Sequence, residues 1–122
     1  MAEEPLKRVV WMGSSLDDLR KLPADVQDGI GFALYHAQRG VRHADTKMMK
    51  GFGPGVLEII EDDLGGTYRA VYAVRFAKAI YVLHVFQKKS KKGIKTAKRD
   101  VDLIEKRLAG ARLHYEENQH AL

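Results

Sequence analysis

The sequence predicts an α+β domain, with a mostly antiparallel sheet and helices packed on one face. Three observations carry this. The elements read strand, two helices, three consecutive strands, helix; the strand blocks are rich in β-branched and aromatic residues; and the last strand block is apolar on both faces. With 122 residues and 45% hydrophobic content, the chain fills one core and is too short for two, so a single domain over residues 1–122 is expected.

Lys7 to Met12 holds the β-type run Val9-Val10-Trp11 and reads as a first strand. Gly13 closes it, and Ser14 and Ser15 are candidate caps for the helix that follows. Leu16, Leu19 and Leu22 recur at helical spacing, with Asp17 and Asp18 in the first turn, where the helix dipole favours acids. Pro23 fits the first turn of a second helix, whose apolar face is Val26, Ile30, Ala33, Leu34 and Ala37 and whose end is Gly40. These two make a helical hairpin. Gly29 and Gly31 inside it each cost about 1 kcal/mol relative to alanine, so either close packing compensates or the helix is shorter. The next stretch, through Lys50-Gly51-Phe52-Gly53-Pro54-Gly55, reads as a loop.

Val56 to Glu61 is the next strand, Gly65-Gly66 a turn, and Thr67 to Phe76 and Ala79 to Gln87 two further strands joined at Ala77-Lys78. In the last, Ile80, Tyr81, Val82, Leu83, Val85 and Phe86 leave little room for a wet side, which predicts a central strand covered on both faces. A final helix opens with Thr96 as a candidate N-cap and carries Val101, Ile104, Leu108 and Ala111 on one face. Its end lies at Gly110 or near Glu117.

The formal net charge is +5 and the sequence pI about 9.5, a balance that favours an anionic partner. No cysteine is present, so disulfide and thiolate chemistry are excluded and a reducing compartment is suited. No apolar stretch approaches the ~20 residues of a membrane span, and the N-terminus lacks an apolar signal core. A cytoplasmic protein with no membrane contact is therefore expected. The five histidines show no metal-ligand spacing, and the glycine-rich loop lacks the Gly-Lys-Ser/Thr ending of a phosphate loop. Neither a metal nor another cofactor is expected.

From Phe86 to Arg99 the chain carries seven cations and no acid before Asp100. Such a run binds a polyanion or is a solvated loop. Lys88 and Lys89 leave the last strand where burial stops, whereas Lys91, Lys92, Lys95, Lys98 and Arg99 are candidates for contacts with a polyanion such as nucleic acid; Lys50, with Lys47, could add charge from the preceding loop. Strand alternation puts Tyr68, Ala70, Tyr72, Val74 and Phe76 on one face and Arg69, Val71, Ala73 and Arg75 on the other. Arg69 and Arg75 are about 20 Å apart by strand rise and cannot share one phosphate. Arg69 offers a planar fork of donors, or is simply salt-bridged. His84, between Leu83 and Val85, is a hydrogen-bonded core histidine or an acid-base group; Glu58 is a base, an ion-pair partner or exposed.

Val56-Leu57-Glu58-Ile59, Thr67-Tyr68-Arg69-Ala70-Val71-Tyr72, Tyr81-Val82-Leu83-His84-Val85-Phe86-Gln87-Lys88-Lys89-Ser90 and Lys95-Thr96 opening a helix together resemble the phage-related, HigB-like branch of the RelE/ParE toxin superfamily. The likeness covers nearly the whole chain. It implies a toxin of a type II toxin–antitoxin pair, with the N-terminal strand and the three-stranded meander in one curved sheet. RelE-like members cut messenger RNA, usually on the ribosome and without metal: the ribose 2′-OH attacks the adjacent phosphate while cationic side chains stabilise the charge on the phosphoryl oxygens. Arg69 falls on the family's phosphate-binding arginine, and Lys88 or Lys89 on its basic position after the fourth strand. Two departures are Glu58-Ile59-Ile60, where this branch commonly has Glu-Leu-Arg, and Ala97, where a proline often follows the threonine. General-base candidates are Glu58, His84 and Tyr72.

The expected function is therefore a ribosome-associated mRNA endoribonuclease toxin, partnered by mRNA, the ribosome and a cognate antitoxin with a helix-turn-helix domain. The rivals are a ParE-like toxin that binds a protein such as DNA gyrase without cutting RNA, and a nucleic-acid-binding domain that has lost catalysis.

Overall fold

In the computed structural model, residues 5–88 and 96–122 are described. The elements are β1 (Arg8–Trp11), α1 (Ser15–Arg20), α2 (Ala24–Gln38), β2 (Thr46–Met48), β3 (Val56–Asp63), β4 (Gly66–Ala73), β5 (Ala79–Lys88) and α3 (Lys98–Asn118), followed by a single 3₁₀ turn, Gln119–Ala121. The five strands form one curved sheet in the order β1-β5-β4-β3-β2. β1 runs parallel to β5, and all other pairs are antiparallel. The α+β architecture expected from the sequence is thus the one observed.

The strand predicted to be central is central. β5 lies between β1 and β4, and Ala79 through Leu83 are fully buried. Each large apolar side chain there contributes about 1.5–3 kcal/mol by leaving water. Ile80, Val82 and Val85 pack with Leu19, Val26, Ile30 and Leu34 of α1 and α2, while Tyr81 and Leu83 pack with Ile104 and Ala111 of α3. The helices therefore occupy both faces, not one. A strand apolar on both sides demands this, since each of its faces needs its own cover.

Other boundaries differ for local reasons. β2 lies in the stretch expected to be loop. Three residues with only Thr46 buried are too few to show a period of two. β4 stops at Ala73, and the Val74 amide donates to the Gly55 carbonyl at 2.8 Å. Alternation ends there, which lets Phe76 enter the α3-side core rather than the face of Tyr68 and Tyr72. The cap residue of α3 is Ala97, not Thr96, and no side chain caps that end. Ser14 precedes α1 as expected, but its hydroxyl donates to the Asp18 carboxylate at 2.8 Å instead of capping an amide. α2 runs its full length through both glycines. A Cβ on Gly29 would lie 2.6 Å from the Glu61 carboxyl carbon, whereas one on Gly31 would meet nothing within 4 Å. Close packing accounts for the first glycine only. α3 also passes through Gly110, where a Cβ would lie 3.3 Å from Cε of Met12. Among the described residues, no helix is long and apolar enough to cross a membrane.

Candidate nucleic-acid interface

The α3-side face of the sheet is apolar at one end and charged at the other. Along β4, alternation puts Arg69 on the same side as Val71 and Ala73. Pairing then supplies its neighbours: Glu58 of β3 stands opposite Val71, Lys47 of β2 opposite Glu58, Phe86 of β5 opposite Arg69, and Lys88 opposite Thr67.

Phe86 and Lys88 reach this face through a β-bulge. Val71 pairs with His84 but Tyr72 pairs with Val82, so Leu83 is an extra residue on β5. Strict alternation from Tyr81 would send His84, Phe86 and Lys88 to the α1–α2 side. The bulge puts Leu83 and His84 on the same side, and Phe86 and Lys88 follow. Arg107 of α3 holds it: Nη1 donates to the Leu83 carbonyl at 3.0 Å and Nη2 to the Ser14 hydroxyl at 3.1 Å. Gly13, at φ 55°, leaves room for that guanidinium, since a Cβ there would lie 2.7 Å from it.

Glu58 and Arg69 are buried, 4% and 6% exposed. Arg69 Nη1 donates to Glu58 Oε1 at 2.8 Å, and Lys47 Nζ lies 3.4 Å from the same oxygen. Arg69 Nε is buried without a hydrogen-bond partner among the described residues. The Lys88 ammonium is held below the usual lysine range, first by desolvation and then by the positive charge of Arg69, with Lys47 adding to this and Glu58 opposing it. Beyond Glu58, the next acid on this face is Asp62, which accepts from the Thr67 hydroxyl at 2.9 Å. Chemically, such a group of cations is suited to an anion, and the more so as negative charge grows on it.

His84 points elsewhere. Its Nε2 lies 2.8 Å from Asp100 Oδ1, in the first turn of α3, where the helix dipole stabilises an acid. Its Nδ1 is buried without a partner among the described residues, and its ring stacks on Phe86 with centroids 4.5 Å apart and planes at 16°.

The sequence-predicted candidates thus separate. Arg69, Lys88 and Glu58 come together, and His84 borders them through Phe86. Tyr72 lies on the opposite face, in the α1–α2 core, and the sheet separates it from Arg69. Burial pushes its hydroxyl pKa up, with Thr46 and Arg42 acting against the shift. A tyrosine one strand position from Val71 had to face away from Arg69, which its alternation already implied. Lys50 is exposed in the loop after β2, and Lys98 and Arg99 are exposed at the start of α3, Lys98 in an ion pair with Asp102 at 2.8 Å. Lys89, Lys91, Lys92 and Lys95 lie outside the described residues. Sequence reasoning named Lys47 only as added loop charge, because β2 was read as loop, and it missed Asp100 and Arg107. That Asp100 is the first acid after the basic run was the one available signal.

A cavity of about 790 Å³ lies at the other end of α3, lined by Phe52, Arg75, Phe76, Leu108, Arg112 and Tyr115 among others. Arg75 there donates to the Phe52 carbonyl at 2.6 Å. No member of the cation cluster lines that cavity. Among the described residues, no group of three or more His, Asp or Glu side chains is placed to hold a metal ion.

A family model described as "Phage derived protein Gp49-like (DUF891)" matches residues 17–109. No curated protein matches the chain. Among solved structures, a double arginine-to-alanine mutant of the Escherichia coli toxin RelE in the free state aligns with a TM-score of 0.51 and 19% identity, covering 71% of this chain and 88% of that one. At that identity the likeness is one of fold.

Proposed function

The chain belongs to the Gp49-like family of phage-derived proteins, and on that premise, joined to its RelE-like fold, we propose that it is the toxin of a type II toxin–antitoxin pair. Its activity is metal-independent cleavage of messenger RNA on translating ribosomes, neutralised by a cognate helix-turn-helix antitoxin. The observation that carries this reading is the pairing of Lys47 and Arg69 with one buried carboxylate, with Lys88 on the same face close enough to feel all three charges and, among the described residues, Arg69 Nε left without a partner.

The reaction follows from the charges. The RNA phosphodiester enters as a monoanion beside Arg69 and Lys88. The ribose 2′-OH attacks the adjacent phosphorus, its proton passing to Glu58 as phosphate oxygens compete for Arg69 and Lys47. The pentavalent transition state carries a second negative charge, while Glu58 loses its own on taking the proton, so the cations stabilise the transition state more than the ground state. The P–O5′ bond breaks, and the departing 5′-oxygen takes a proton from Lys88. A lysine held below its usual range gives up that proton more readily, so the shift suits the role. The products are a 2′,3′-cyclic phosphate and a 5′-hydroxyl end.

Lys88 is partly exposed, so Lys88→Ala removes it at little cost in stability. Expression of the wild-type chain is expected to arrest growth and produce cuts in translated mRNA, and Lys88→Ala to lower both by about 10²-fold, the usual loss for one transition-state donor. Growth arrest with intact mRNA and trapped gyrase–DNA complexes would favour the protein-target reading instead.

A further inference from the structure

Phe86 packs against the edge of the α3-side core yet keeps part of its ring in the open. It stands on the α3-side face directly across from Arg69 and two residues before Lys88, only half-buried. One strand repeat of two residues is about 7 Å, comparable to the step between neighbouring groups along a single-stranded nucleic acid. One face of the ring is already supported by His84, parallel to it at 4.5 Å and 16°. His84 is in turn fixed by the 2.8 Å contact to Asp100 of α3. A chain of Asp100, His84 and Phe86 therefore holds an aromatic ring rigidly among the cations.

We propose that Phe86, backed by His84 and Asp100, is a nucleobase platform that stacks the base next to the phosphate gripped by Arg69 and Lys88. This rests on the reading of the cation cluster as an RNA site. Its chemistry is that of single-stranded binding, where a cationic track takes the backbone and an aromatic ring takes the base. Stacking accepts any base, and the larger ring of a purine gains more. Asp100 and His84 act as positioning residues; Phe86 alone touches the base. The platform restricts how the nucleotide lies relative to the scissile phosphate, and so biases where the chain is cut.

The test uses the full chain with an uncleavable single-stranded 2′-O-methyl oligoribonucleotide. Phe86→Trp should bind as the wild type does, with tryptophan emission quenched on binding after the Trp11 signal is subtracted. Phe86→Leu should weaken binding about tenfold, and an abasic nucleotide next to the gripped phosphate should weaken wild-type binding equally. The two losses should not add. Phe86→Tyr should restore binding, which separates stacking from a general packing defect. An unquenched Phe86→Trp, or additive losses from Phe86→Leu and the abasic nucleotide, would overturn the platform while the Lys88 result stands. A wild-type chain that neither binds nor cleaves RNA would overturn both.

Discussion

Glu58 and Glu61 lie three residues apart on β3, and the sheet gives them opposite surroundings. Glu58 faces the α3 side, where β2 and β4 bring Lys47 and Arg69 to its carboxylate. Glu61 faces the α1–α2 side, its carboxyl tucked against Gly29 and its Oε1 buried without a partner. Its pKa is raised, first by burial and then by Asp45, with Asp62 and Asp25 adding to this. One residue type on one strand thus becomes a hub for two cations on one face and, on the other, an acid that holds its proton more tightly than usual. What separates them is the charge that the flanking elements supply. The same fold position on a strand carries no role of its own.

The largest expected effect breaks the first environment. Glu58→Ala leaves the Arg69 guanidinium buried without its carboxylate and should cost about 3–5 kcal/mol in urea unfolding. Glu58→Ala/Arg69→Ala should recover part of that loss, because no unpaired charge remains. If Glu58→Ala is as stable as the wild type, the pair is solvated and the contrast with Glu61 collapses.

The second environment gives a smaller effect of opposite sign. The folded chain holds the Glu61 proton more tightly than the unfolded chain, whose value is near 4.5. Its contribution to stability is therefore fully present below about pH 4.5 and is lost as pH rises through the folded value. Glu61→Gln, neutral throughout, should melt higher than the wild type near pH 7, and the gap should close towards pH 4. A gap independent of pH would show that the carboxyl does not titrate against its neighbours.

How much of this could be read from the residues follows the same division. β5 announced its central place through an apolar run on both faces, and Arg69 and Glu58 could be assigned to strands by pattern alone. Alternation also showed that Arg69 and Tyr72 lie on opposite faces. Three features could not be read. β2 is too short to carry a period, so Lys47 had no visible partner. The parallel pairing of β1 with β5 depends on long-range assembly. The bulge at Leu83 is stabilised by Arg107, 24 residues away in sequence, yet it decides which face receives Phe86 and Lys88. Local pattern identifies strands, while register and bulges, set by distant contacts, assemble the charged cluster.

The central claim is that Lys47, Glu58, Arg69 and Lys88 form one phosphodiester-cleaving site. The most direct measurement is the end chemistry of RNA cut by the purified chain on programmed ribosomes. One such site predicts 2′,3′-cyclic phosphate and 5′-hydroxyl ends, sharply reduced with Lys88→Ala. 5′-Phosphate ends, or full activity of Lys88→Ala, would contradict it.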